Sequence, residues 1–288
     1  MRVYRLGLKW SGPFMLLVCA VMMALLSGTS HGGTRLVSGA GAITETLYAL
    51  GVEKELVAVD TSSMYPEAAR NLPKIGYARA LSAEGVLSMR PTLLLLTEDA
   101  GPEQAIKQLK VAGVNMLLLD AEHTPDGAAR RIREIGEAVG RKEAAEKLLS
   151  KLEGEIADVK AKVAAAPARP RVMFIYTRSG GVMNVAGKGT SAATMVELAG
   201  GVNAVTDYEG YRSLTAEGAV LARPDYILVT QRGLESAGGI DALLKQPGLA
   251  LTPAGKSRQV IAIDDLLLLG YGPRTGEAAL ELFEKLHP

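Results

Sequence analysis

The chain has 288 residues, of which 48% are apolar, and its 32 basic and 31 acidic side chains leave a formal charge of +1. That length predicts about two domains with proper cores. The near balance of charge gives no argument for binding nucleic acid or for a polybasic membrane surface.

The first 33 residues have the pattern of an export signal. Three basic residues and no acid precede a run of thirteen apolar residues, Phe14 to Leu26, and small or polar residues follow as far as Gly33. The run suits a signal peptide and is short for a membrane span of about 20 residues, although an uncleaved anchor is the alternative. The only cysteine, Cys19, lies in this run in a poor context for lipid attachment. The mature protein would therefore contain no disulfide and no thiol nucleophile.

Strand-like apolar runs alternate with helical patterns through the rest of the chain. Such runs are typical of parallel strands that are covered on both faces, and their alternation with helices predicts open α/β sheets. The predicted strands are Leu36–Ser38, Leu56–Val59, Leu93–Thr97, Met116–Asp120, Val172–Tyr176, Ile227–Thr230 and Val260–Ile263. The predicted helices between them are Ile43–Leu50, Ala83–Ser88, Gln104–Ala112, Ser191–Leu198 and Ile240–Leu244.

A charged helical stretch from Pro125 to Val163 separates the two halves. Between Ala144 and Val159 it carries apolar residues at spacings of three and four, and it ends where alanines meet prolines at Ala164–Pro170. A long helix of this kind is a stiff connection that permits only small movements. We therefore predict a first lobe at 34–142, a linking helix at 143–166 and a second lobe at 167–288.

An eleven-residue phrase occurs twice in the chain. Leu81–Pro91 reads LSAEGVLSMRP and Leu214–Pro224 reads LTAEGAVLARP, and each copy follows a Gly-Tyr pair with an arginine close behind. The copies lie 133 residues apart, which is too far for a solenoid repeat. The repeat instead predicts two Rossmann-like α/β lobes, joined by the long rigid helix, with a ligand cleft between them.

Other motifs give little support to an enzyme. Gly39-Ala40-Gly41 follows a predicted strand, but Thr44 stands where a dinucleotide fingerprint has its third glycine, so close backbone packing is the better interpretation. Beyond the export segment only His123 and His287 remain, and two distant histidines cannot make a metal site alone. No nucleophile elbow or Ser/His/Asp arrangement is present either. Hydrolase chemistry therefore has little support from the sequence.

Tyr77 and Arg79 are the leading candidates for a ligand site. In an extended segment, residues two apart project to the same side, so the phenol and the guanidinium could address one ligand. A phenolate suits ferric iron, tyrosine is a known axial ligand of haem, and an adjacent arginine favours the ionised phenol or binds a propionate. Spacing alone still favours a plainer interpretation, a surface tyrosine beside a solvated arginine. Tyr65 and Tyr211 are alternative ligands.

Two long segments resemble the haem-binding periplasmic proteins of bacterial ABC importers, which belong to the class III binding proteins. One is Asp60–Pro91, DTSSMYPEAARNLPKIGYARALSAEGVLSMRP, and the other is Asp225–Thr275, with TQRGLES and LLLLGYGPRT. The resemblance implies a monomeric periplasmic protein that captures haem, its transported ligand, in the cleft and delivers it to an inner-membrane permease dimer. The resemblance also implies that the protein is not an enzyme. The same fold carrying a ferric siderophore or a cobalamin is the alternative.

The resemblance also implies roles for individual residues. Tyr77 would be the iron ligand, Arg79 would assist it, and Arg232 would contact haem from the facing lobe. Further haem-contact candidates are Arg178, Tyr271 and Arg274. Some relatives hold a second haem through a histidine in the loop that corresponds to Tyr176–Gly181, and this chain has none there.

The repeated glutamates have an implied role of their own. In the wider class one surface glutamate per lobe pairs with arginines of the permease, and Glu84 and Glu217 match these positions. Such charge pairs mainly set orientation and association rate. A glutamate that begins a helix beside Ser82 or Thr215 is the alternative, and it is compatible with docking.

The two copies of the repeat differ in the spacing of tyrosine and arginine. Tyr77 and Arg79 are separated by one residue, whereas Tyr211 and Arg212 are adjacent, so only the first lobe is expected to hold the iron.

Overall fold

The computed structural model describes residues 33–177 and 182–288, and residues 35–288 form one compact unit. The predicted export signal therefore lies outside the described residues, apart from Gly33. The boundaries predicted for two lobes and a linking helix stay a prediction.

The described strands form two sheets. The first sheet is parallel and has the order β2-β1-β3-β4. Its strands are β1 (Leu36–Ser38), β2 (Leu56–Val59), β3 (Leu93–Thr97) and β4 (Met116–Leu119). The second sheet has the order β10-β9-β5-β6-β8, with β7 beside β5. Its strands are β5 (Arg171–Thr177), β6 (Met183–Ala186), β7 (Val202–Asn203), β8 (Tyr211–Ser213), β9 (Tyr226–Thr230) and β10 (Val260–Ile263).

The second sheet is mixed, which the sequence did not predict. Strands β10, β9, β5 and β7 are parallel, whereas β6 and β8 run antiparallel to their neighbours. All three residues of β8 are exposed, so this strand lacks the apolar run from which the other strands were predicted. The α/β class is nevertheless as predicted.

Helices cover both sheets. In the first half they are α1 (Gly41–Ala49), α2 (Ala83–Ser88), α3 (Glu103–Val111) and α4 (Pro125–Ala138), followed by α5 (Lys142–Ala165). In the second half they are α6 (Ser191–Leu198), α7 (Ala216–Ala222), α8 (Gln231–Ser236), α9 (Ile240–Leu244), α10 (Pro253–Ser257), α11 (Asp265–Leu269) and α12 (Thr275–Leu286). Short 3₁₀ turns occupy Glu53–Glu55, Glu67–Asn71, Ala78–Ala80 and Leu249–Leu251.

The helical stretch predicted from Pro125 to Val163 consists of two helices, α4 and α5. Gly140 has a φ of 66°, a conformation that ends a helix and that glycine adopts without strain. The amide of Arg141 then donates to the carbonyl of Gly136 at 2.7 Å, which closes α4 in a Schellman arrangement. The signal for the break was the single glycine.

Helix α5 packs its apolar stripe into a core that reaches both sheets. The same hydrophobic cluster contains Leu36 of β1 and Phe174 of β5. Each leucine buried in the stripe contributes about 2 kcal/mol. A shared core of this kind favours a stiff connection. The buried residues of the stripe are Ala145, Leu149, Leu152, Ile156 and Val159.

The repeated phrase folds into the same structure twice. Ser82 and Thr215 each cap a helix, α2 and α7, by accepting a backbone N–H three residues further on, at 3.2 and 3.1 Å. Arg90 and Arg223, each before a proline, take left-handed φ values of 48° and 45° where the helices end. A strand follows each copy, β3 or β9. Each copy of the repeat is therefore a helix with a side-chain cap at its start and a left-handed Arg before a proline at its end.

Candidate functional site

The candidate site lies beyond the carboxyl end of β2. The chain from Pro73 to Gly76 runs beside this strand, because Val59 exchanges backbone hydrogen bonds with Pro73 and Ile75 and the amide of Thr61 donates to Gly76 at 2.9 Å. Gly76 then turns the chain with a φ of 92°. The next residue is Tyr77, and the carboxyl ends of strands are where open α/β sheets bind ligands.

Tyr77 and Arg79 meet as the sequence predicted, but through a different backbone geometry. Residues Ala78–Ala80 form a 3₁₀ turn instead of an extended segment. The Arg79 side chain reaches back, and its Nη1 donates to the Tyr77 hydroxyl oxygen at 3.0 Å. Tyr77 remains 47% exposed, so its oxygen stays open to a ligand beside a fixed positive charge.

Asp99 is a partner of Arg79 that the sequence did not reveal. Its Oδ2 accepts from Nε of Arg79 at 2.8 Å and also from Nη2. The hydrogen bond to Asp99 raises the pKa of Arg79. Burial acts to raise the pKa of Asp99, but bonds from Thr97 and Arg79 outweigh it and leave this pKa below its usual range. In the sequence, the only feature that could have pointed to Asp99 was its place two residues after the predicted strand Leu93–Thr97.

Two tyrosines of the second sheet form an aromatic group near Arg79. The rings of Tyr176 and Tyr211 lie 6.1 Å apart, and Phe174 stacks on Tyr176 at 6.4 Å. The charge of Arg79 acts on Tyr211, whose pKa is nevertheless raised, chiefly because burial disfavours its phenolate. Tyr211 is therefore a poorer anionic ligand than its 43% exposure suggests.

The predicted arginines of the second half have different surroundings. Arg232 is exposed near the start of α8, at the carboxyl end of β9, and its backbone N–H donates to Asp265 at 3.2 Å. The carboxyl ends of strands are where open α/β sheets generally bind ligands, so the position is compatible with the predicted contact, which stays a prediction. Arg178 lies outside the described residues.

The structure gives Tyr271 a role different from the predicted haem contact. The residue is only 1% exposed, and its hydroxyl donates to the carbonyl of Ser191 at 2.8 Å. Its ring packs edge-on against His123 at 5.7 Å, and its carbonyl accepts from Arg131 Nη2 at 2.8 Å. Burial raises the pKa of the phenol. Tyr271 is thus a core residue that joins the halves, because its hydroxyl is hydrogen-bonded to Ser191 in the second half and its carbonyl to Arg131 in the first.

Arg274, the other predicted contact in this segment, is also engaged. Its Nε and Nη2 donate to the carboxylate of Glu45 on α1 at 2.8 and 3.1 Å. The guanidinium also lies 3.7 Å from the ring centre of Tyr65, one of the alternative ligands. These contacts join the C-terminal segment to the first half, so the observed role of Arg274 is structural.

Glu84 and Glu217 are both exposed in the first turn of their helices, α2 and α7. Their positions fit a favourable interaction with the helix dipole and equally leave both carboxylates accessible to a partner.

Among residues 33–177 and 182–288, none of the helices has the length and apolar character that a membrane span requires. Within the same ranges no three His, Cys, Asp or Glu side chains are grouped to hold a metal ion.

Comparison with known proteins identifies the family. Residues 36–267 match the family described as Periplasmic binding protein. The chain belongs to this family. Its curated relatives include the uncharacterized ABC transporter substrate-binding lipoprotein YvrC of Bacillus subtilis (strain 168), which is 29% identical over 257 residues, 88% of this chain and 80% of the relative.

Solved structures of the family are similar along most of their length. The periplasmic heme-binding protein RhuT from Roseiflexus sp. RS-1, in apo form, is 43% identical with a TM-score of 0.86, covering 89% of this chain and 98% of RhuT. The periplasmic heme-binding protein BhuT in complex with two hemes is 39% identical with a TM-score of 0.84, at the same coverages. These similarities confirm the predicted family and the two-lobed α/β fold, and they place the chain among periplasmic binding proteins of ABC transporters.

Proposed function

We propose that this protein captures haem in the cleft between its lobes and delivers it to the permease dimer of an ABC importer in the inner membrane. The observation that carries the proposal is the exposed Tyr77 phenol, held by Arg79 at the carboxyl ends of the first sheet. The similarity to RhuT and BhuT, which are heme-binding proteins, supports it.

The residues around Tyr77 fit haem as the transported ligand. Ferric haem accepts a tyrosine oxygen as an axial ligand, and Tyr77 would supply it. The porphyrin also requires flat apolar contacts, and its propionates require cations. The rings of Tyr176 and Tyr211 would pack on the porphyrin. Arg232 and Arg178 would pair with propionates. Because no bond is made or broken, the protein would need no catalytic group and would not be an enzyme.

The proposal includes export and a monomeric state. Residues 1–33 would direct the chain to the periplasm and be removed there. The mature protein would consist of a lobe at 34–142, the linking helix at 143–166 and a lobe at 167–288. One copy would carry its ligand to the permease.

A hemin titration tests the proposal. The mature protein is mixed with hemin and the visible spectrum is recorded, with cobalamin and a ferric siderophore as competitors. We expect saturable binding with a high-spin ferric spectrum of tyrosine ligation that neither competitor displaces. Curated relatives include vitamin B12-binding proteins of Yersinia that are 24% identical over 216 residues, so cobalamin is a fair competitor. Saturable binding of cobalamin without binding of hemin would contradict the proposal.

Charge reversal tests docking through the repeated glutamates. We expect Glu84→Lys and Glu217→Lys each to lower haem uptake into proteoliposomes that contain the permease by about tenfold, because like charges would then meet at the interface. The affinity for hemin should stay unchanged.

Glu103→Lys is the matched control for docking. Glu103 is also an exposed glutamate in the first turn of a helix, α3, so its reversal has the same unfavourable effect on the helix dipole. Equal loss of uptake in this control, or loss of hemin binding in either docking variant, would refute the docking role.

A further inference from the structure

The guanidinium of Arg79 contacts Asp99 along one edge and Tyr77 through its other terminal nitrogen. Two of its N–H groups, on Nε and Nη2, donate to Oδ2 of Asp99, and one N–H on Nη1 donates to the Tyr77 oxygen. A guanidinium has five N–H donors in a planar fork, so a carboxylate at one edge determines where the other edge points. The contact with Asp99 therefore aims Nη1 at the phenol.

Arg79 needs such a partner because its side chain is 56% exposed. A long exposed side chain loses about 2 kcal/mol of rotamer entropy when it is held in one position. Without a second contact, one hydrogen bond to Tyr77 would hold it only part of the time.

Asp99 is itself held in place. Its Oδ1 accepts from the Thr97 hydroxyl at 2.6 Å, and its side chain is 33% exposed, less than that of Arg79. The turn that carries it is joined to the tyrosine segment, because the amide of Gly101 donates to Ala78 at 2.9 Å and the amide of Leu81 donates to Gly101 at 2.7 Å. The acid and the arginine thus lie on two backbone segments that are hydrogen-bonded to each other.

We propose that Asp99 is a positioning residue of the ligand site, which acts through Arg79 to hold a charged hydrogen-bond donor on the oxygen of Tyr77. The inference rests on the proposed role of Tyr77 as the iron ligand. Asp99 also makes the pair electrically neutral, so that Arg79 donates to a ligand oxygen without adding net positive charge beside a ferric ion. Arg79 therefore acts chiefly as a hydrogen-bond donor to the Tyr77 oxygen. Three of its five N–H groups are engaged by Asp99 and Tyr77, and the other two remain for a propionate.

The variant Asp99→Asn tests the inference in the full-length mature protein with hemin. Two quantities are measured, the position of the tyrosinate-to-iron absorption band and the rate of hemin transfer to apomyoglobin. We expect the band to shift and transfer to become up to about fivefold faster, the upper limit for a partly exposed ion pair. Thr97→Val, which removes only the bond to Oδ1, should change both in the same direction by less, and it serves if the first variant is poorly folded.

A double-mutant cycle separates positioning from a general structural effect. If Asp99 acts through Arg79, then Asp99→Asn has no further effect in an Arg79→Gln background. The control is Asp241→Asn, which breaks an exposed ion pair with Arg258 outside the site and should leave band and rate unchanged.

Three results would overturn the inference. An unshifted band with an unchanged transfer rate in Asp99→Asn would show that Asp99 does not position the ligand. An equal effect of Asp99→Asn with and without Arg79 would show that it does not act through the arginine. A wild-type protein that binds hemin without a tyrosinate band, or does not bind it, would overturn the role of Tyr77 first and the inference with it.

Discussion

Replacement of Tyr77 by phenylalanine is expected to abolish the tyrosinate-to-iron absorption band and to lower the affinity for hemin by at least about 100-fold. Losing a group that merely supports a metal ligand typically costs 10- to 100-fold, so losing the ligand itself should cost at least the upper figure. The phenylalanine ring preserves packing, and because Tyr77 is 47% exposed, the expected loss comes from the missing ligand oxygen and not from unfolding. Hemin titration followed by visible spectroscopy measures both quantities.

Tyr211→Phe is the matched control in the second half. Among the described residues no arginine is hydrogen-bonded to the hydroxyl oxygen of Tyr211, whereas the hydroxyl of Tyr77 accepts from Arg79, so Tyr77 is the expected iron ligand. We expect this variant to keep the absorption band. If the band persists in Tyr77→Phe and disappears in Tyr211→Phe, the iron ligand is Tyr211 in the second half and the assignment to Tyr77 is wrong.

Replacement of Arg274 by alanine is expected to lower the free energy of unfolding by about 3 kcal/mol, at the low end for breaking a buried ion pair. The side chains of Arg274 and Glu45 are 17% and 6% exposed, so the variant would leave the Glu45 carboxylate buried without its cation. Burial already raises the pKa of Glu45, which shows how poorly this site solvates a charge. The melting temperature should fall by roughly 6–12 °C.

Urea denaturation checks this prediction, with Asp241→Asn as the control for an exposed pair. The control should change the free energy of unfolding by less than about 1 kcal/mol. The double variant Glu45→Leu with Arg274→Met replaces both charges by apolar groups and should recover part of the lost stability. If Arg274→Ala is no more destabilising than the control, the pair does not brace the two halves.

The repeated phrase shows which elements of the fold could be predicted from local sequence patterns. Ser82 and Thr215 are good cap residues, and Arg-Pro marks the end of a helix, so two equivalent helices followed by strands could be predicted from residues that are neighbours in the chain. The antiparallel strand β8 could not, because its exposed side chains show no apolar run.

The candidate site was predictable only in part. Tyr77 and Arg79 are two residues apart, so their contact depends on local geometry, and they do meet. Asp99 is 20 residues from Arg79, and nothing in the intervening sequence indicates that the turn after β3 lies beside the tyrosine segment. Long-range partners of this kind depend on the order of strands in the sheet.

The amino-acid sequence by itself determined the seven strands that are apolar runs, the five helices predicted between them, the capped repeat and the resemblance to a family, because all of these depend on patterns along the chain. Only the tertiary structure decided which side chains are buried and which are paired. It placed Tyr271 in the core and Arg274 on Glu45, although their segment had suggested a ligand wall. The physical reason is that Tyr271 contacts Arg131 and Arg274 contacts Glu45, which are 140 and 229 positions away and approach only when the two halves pack together.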